Sequence, residues 1–124
     1  MPAPLDEDVV RFILTSIPSI SHLEAALLFR REPGARDAGE VARALYVGER
    51  DAALALSSLA EAGVLARDAD AFRYAPRDAR LADLLDRLAL AYAADLVGVT
   101  KLVHDQTRDS ARRFADAFKL KRGS

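Results

Sequence analysis

The chain has 124 residues, 51% of them hydrophobic and 30% charged, with a formal net charge of −1 and no cysteine. That length suits one domain whose core needs no staples, and the lack of cysteine excludes disulfides and thiolate metal sites. A net charge so close to zero excludes the overall basic excess of many nucleic-acid-binding domains.

The opening MPAPLDEDVV has neither the basic nor the apolar region of a secretory leader, so the cytoplasm is the expected location. Charges interrupt every apolar run, and no segment is expected to cross a membrane. Charge is uneven along the chain: residues 107–124 carry six basic side chains against two acidic ones, +4, which leaves −5 on residues 1–106.

The first predicted helix runs from Leu5 to Ile17, with Asp6, Glu7 and Asp8 at its dipole-favoured start and Pro18 at its end. Val9, Phe12, Ile13 and Ile17 form its apolar face. Ser21 and Glu24 have the spacing of a capping box for the second helix, which continues to Arg31 before the turn at Pro33-Gly34. His22 lies in that helix's first turn and reads as a solvated surface histidine.

Asp37 and Glu40 form another capping-box pair, and Val41, Ala44 and Leu45 recur at helical spacing. Gly48 punctuates the chain, a helix over Glu49 to Glu61 buries Ala52, Leu56 and Leu59, and Gly63 stops it. Strands are predicted over Val64–Arg67 and Phe72–Ala75, joined by the tip Asp68-Ala69-Asp70-Ala71. After Pro76 and Asp78 one long helix is predicted, from about Ala79 to Gln106, with Gly98 inside it. A short final helix then places Phe114 and Phe118 one turn apart.

The run Glu40-Val41-Ala42-Arg43-Ala44-Leu45, then Gly48, then Leu56 and Leu59-Ala60-Glu61-Ala62-Gly63-Val64-Leu65, resembles a bacterial winged helix-turn-helix of the MarR-like or ArsR-like kind. The flanking SISHLEAALLFRREPGA and LADLLDRLALAYAADLVGVTKLVHDQ extend the resemblance to small bacterial winged-helix regulators over most of the chain. It implies a mainly α fold with a two-stranded β wing and a long C-terminal helix. Residues 1–77 would form the winged helix and residues 78–124 the dimerisation helices, in one compact unit. It also implies a cytoplasmic, dimeric DNA-binding transcriptional regulator.

The residues complicate that expectation. Residues 49–61 offer Arg50 alone against Glu49, Asp51 and Glu61, and the chain contains no Asn to read a base edge. Ser57 and Ser58 share its exposed side, and Arg43, Arg67, Arg73 and Arg77 lie near it in sequence. These seven residues are the candidate contacts to double-stranded DNA. The alternative is a degenerate winged helix that does not bind DNA and docks a protein partner through Leu54 and the acidic wing.

Leu81, Leu85, Leu88, Tyr92, Leu96, Val99 and Val103 follow one another at spacings of three or four, an apolar seam that predicts a homodimer. The competing arrangement folds that seam back onto the first two helices. No enzyme motif is present, so neither catalysis nor a cofactor is expected; Asp83 and Asp86, one turn apart, read as a solvated face.

Overall fold

The computed structural model describes residues 6–105. In chain order its elements are α1 (Glu7–Ser16), α2 (Ile20–Arg31), α3 (Ala38–Leu45), α4 (Glu49–Glu61), β1 (Leu65–Asp68), β2 (Ala71–Tyr74) and α5 (Ala79–Ala94). A further helix, α6, is described from residue 96 to residue 105. The described residues are therefore mainly helical, with one two-stranded antiparallel sheet among them. The basic stretch 107–124, with Phe114 and Phe118, lies outside the described residues. Among the described residues no single helix is long and apolar enough to cross a membrane.

The core is built around α2, which meets α3, α4 and β2, while α5 lies against α1. Leu23, Ala25, Ala26, Leu28 and Phe29 of α2 are all buried. They run round the helix instead of along one stripe, as a helix covered on several sides requires. Phe12 and Ile13 of α1, Leu56 and Leu59 of α4, Phe72 of β2 and Leu85 of α5 join the same core. Each such side chain taken out of water contributes about 1.5–3 kcal/mol.

The end of α1 and the start of α2 show how local chemistry sets the boundaries. α1 stops at Ser16, one residue before the expected end, because Ile17 precedes proline and leaves the helical region (φ −123°, ψ 77°). α2 then begins two residues earlier than the Ser21 box predicts. Ser19 is its cap, in extended backbone, and its Oγ accepts from the His22 N–H at 3.3 Å. The same oxygen lies 2.6 Å from His22 Nδ1. His22 is thus half-buried and bonded, not solvated, and burial lowers its pKa.

α3 carries the expected capping box in full: the Asp37 carboxylate accepts from Glu40 N–H at 2.8 Å, and Glu40 accepts from Asp37 N–H at 3.2 Å. The helix closes at Tyr46, whose backbone is left-handed (φ 57°, ψ 44°). That conformation costs a residue with a Cβ roughly 1–2 kcal/mol. Gly48, the residue expected to mark this turn, has an ordinary backbone (φ −67°) and caps α4 with no side-chain hydrogen bond. α4 ends where Gly63 takes positive φ (84°) and the Val64 N–H returns to the Leu59 carbonyl at 2.9 Å.

The hairpin pairs Leu65 with Tyr74, Ala66 with Arg73, Arg67 with Phe72 and Asp68 with Ala71. Both strands sit one residue from their expected limits. Val64 is still tied to the end of α4, and the positive φ of Ala69 (55°) lets Ala69-Asp70 alone make the turn. Arg36, between α2 and α3, adds one antiparallel bridge to Phe72, with N–H to O distances of 3.0 and 2.8 Å.

The single helix expected over Ala79–Gln106 is broken. α5 ends at Ala94, and Asp95 (φ −145°, ψ 69°) both closes it and starts α6. The Asp95 carboxylate accepts from the Gly98 N–H at 3.0 Å. A Cβ at Gly98 would press on that carboxylate where it now sits.

Candidate functional site

Leu81, Leu85, Leu88, Val99 and Val103, five of the seven predicted seam residues, are buried inside a single chain. That cover removes the apolar surplus on which a seam-wide dimer was expected: α5 folds onto α1, as the competing arrangement required. Tyr92 is half-buried and lines a groove of about 250 Å³ with Leu27, Arg30 and Ala93, and Leu96 is exposed. Asp83 and Asp86 lie on a solvated face, as expected, and each carries a surface ion pair there. Asp83 pairs with Arg87 and Asp86 with Arg30, each at 2.9 Å.

The seven candidate DNA contacts fall into separate groups. The period of two in the hairpin turns Leu65 and Arg67 toward the core side with Phe72 and Tyr74, and leaves Arg73 on the outer face. Arg67 reaches α4 by donating from Nη2 to Ser57 Oγ at 3.5 Å, with its guanidinium 4.8 Å from the centre of the Phe72 ring. Ser57 and Arg67 are therefore together.

Ser58 faces another way, into a depression shared with Thr15, Ser16 and Pro18 at the α1–α2 turn. Arg77 belongs to that side too: it lies against Gly63, pairs with Asp78 at 3.6 Å and borders a depression with Thr15 and Ser16. Those two residues are not part of one surface with Arg50 and Arg73.

Arg43, Arg50 and Arg73 are exposed, and none of their side chains forms a hydrogen bond or ion pair with a described residue. They stand on α3, at the start of α4 and on the outer hairpin face. Their surroundings are acidic. Asp37, Arg43, Glu49 and Asp70 line one shallow concavity of about 420 Å³, which brings the hairpin tip beside the starts of α3 and α4. Over residues 37–77 five arginines face seven carboxylates, a local charge of −2.

Two exposed side chains complete this face. Leu54, one turn after Arg50, is 60% exposed, and Tyr46, at the left-handed turn before α4, is 95% exposed. The sequence pointed to Leu54 through its place on the helix. Tyr46 gave no such signal, because Gly48 nearby is the usual bearer of an unusual turn conformation. Comparison of the chain with protein-family models, curated proteins and solved structures finds no significant match.

Proposed function

We propose that this chain is a winged-helix DNA-binding protein acting in transcriptional regulation, with α4 as the recognition helix and β1–β2 as the wing. The order α3, turn, α4, hairpin, with Arg36 adding a third short edge to the sheet, is compatible with that arrangement. The observation that carries the reading is the set Arg43, Arg50 and Arg73, all exposed and unengaged by described residues around α4. Arginine is the commonest side chain for reading guanine and one of the two for neutralising phosphate. Arg50 is assigned to a base edge, Arg43 and Arg73 to phosphates. Because the surrounding charge is negative, affinity rests on these discrete contacts and not on a broad positive field. Titration of the protein with mixed duplex DNA at low and moderate salt tests this: binding that weakens with salt supports it, and no binding at low salt refutes it.

Dimerisation belongs to the same reading, because a two-fold pair suits a palindromic site. Its surface is reduced to Leu96, the seam residue left exposed, with Leu90 and Val97 off the seam; the three are 55, 70 and 74% exposed. Sedimentation showing only a 13.5 kDa species would remove the dimer.

A second reading, a protein-docking module, is favoured by one observation: exposed Leu54 shares the outer side of α4 with Asp51 and Glu61. The same titration separates the two.

A further inference from the structure

We propose that Tyr46 is a phosphate contact of the α3–α4 turn, its hydroxyl donating to a DNA backbone oxygen between the sites of Arg43 and Arg50. The inference rests on the DNA-binding reading and adds to it a residue outside the seven predicted contacts.

Three observations converge on this side chain. Its ring is 95% exposed, more than Leu14, Leu54, Leu90, Leu96 or Val97, so it buries almost nothing in the fold. Its backbone is left-handed, a conformation that glycine adopts without penalty and tyrosine does not. Its backbone N–H donates to the Ala42 carbonyl at the end of α3, but its side chain forms no hydrogen bond, ring contact or ion pair with a described residue. Within the described chain the tyrosine side chain therefore adds cost and no contact.

Its position supplies the purpose. Tyr46 is three residues after Arg43 and four before Arg50, the two unengaged arginines on either side of the turn. When a helix-turn-helix docks with the start of its second helix on base edges, the preceding turn is carried close to the DNA. Tyrosine hydroxyls are regular donors to phosphate oxygens. A neutral donor also fits beside Glu49 and Asp51, where a further cation would be partly cancelled.

The neutrality gives the test its signature. Neutralising a phosphate with arginine releases counterions and steepens the salt dependence, whereas a hydroxyl contact does not. The full chain and its Tyr46→Phe, Tyr46→Gly and Arg43→Ala variants are titrated with several unrelated duplexes at about 50 and 200 mM salt. Tyr46→Phe is expected to weaken binding about three- to tenfold, the worth of one hydrogen bond. The loss is equal on every sequence and leaves the salt slope unchanged, while Arg43→Ala flattens it. Tyr46→Gly is expected to bind at least as weakly as Tyr46→Phe and to melt at a higher temperature.

If both Tyr46 variants bind like the parent while Arg50→Ala binds less tightly, this inference falls and the DNA-binding reading stands. A Tyr46→Gly chain that melts lower would give the ring a structural role and would also overturn it. If the parent chain binds no duplex at low salt, both fall together.

Discussion

α4 and α5 are built alike on one side and differently on the other. Each buries leucines in the common core, Leu56 and Leu59 on α4, Leu81, Leu85 and Leu88 on α5. On α5 the polar side is tied down as well. Asp78 caps the helix through the Leu81 N–H at 2.8 Å, Asp86 holds Arg30, and Arg87 bridges Asp83 to Asp6 at the cap of α1. The Asp8 N–H first, and Arg87 second, hold the Asp6 carboxyl below its usual pKa. On α4 the polar side has one long bond to a described residue, Arg67 to Ser57, and its cap is a bare glycine. Among the described residues α4 is held mainly by its apolar side, and most of its polar side is exposed without a side-chain partner. That contrast, more than any motif, is the physical ground for treating α4 as the interface.

The largest expected effects test the shared half of the comparison. Leu56→Ala and Leu85→Ala each empty a fully buried site and should each destabilise the chain by about 2–5 kcal/mol in urea unfolding. A loss well below that range for one of them would mean that its helix is not packed as the other is.

The unshared half is tested by an exchange of readouts. Arg50→Ala should weaken binding to a preferred duplex by about 1–3 kcal/mol and leave the melting temperature unchanged. Arg87→Ala should do the reverse: it lowers the melting temperature, because Asp6 and Asp83 lose their common partner, and leaves DNA affinity as it was. If both substitutions act on stability, the polar side of α4 is structural after all. The smallest effect concerns the caps. Gly48→Ser should stabilise the chain by roughly 0.3 kcal/mol and Asp78→Gly should destabilise it by a similar amount, measurable as opposite shifts of the urea midpoint.

The fold was legible where the signal is local and unopposed. The Asp37–Glu40 box and Gly63 set α3 and the end of α4 where the sequence placed them. It was illegible where two signals compete. Ser21–Glu24 has the same spacing as Ser19–His22 and the better residue for a box in Glu24, yet extended backbone after Pro18 hands the cap to Ser19. The seam spacing runs unbroken through Asp95, and a pattern of apolar residues does not record that an aspartate followed three residues later by glycine can start a new helix. That break, and the packing of α5 on α1, decide whether the seam faces inward or outward. Of the candidate site, Arg43, Arg50 and Arg73 were readable as exposed charge. The separation of Ser58 and Arg77 from them was not, because only the tertiary arrangement turns those two toward α1.

Backbone amide shifts of the full chain, recorded as duplex DNA is added at low salt, test the central claim most directly. The account predicts changes concentrated at residues 43–57 and 67–73, with residues 79–94 of α5 unmoved. Changes centred on α5, or none anywhere at saturating duplex, would contradict it.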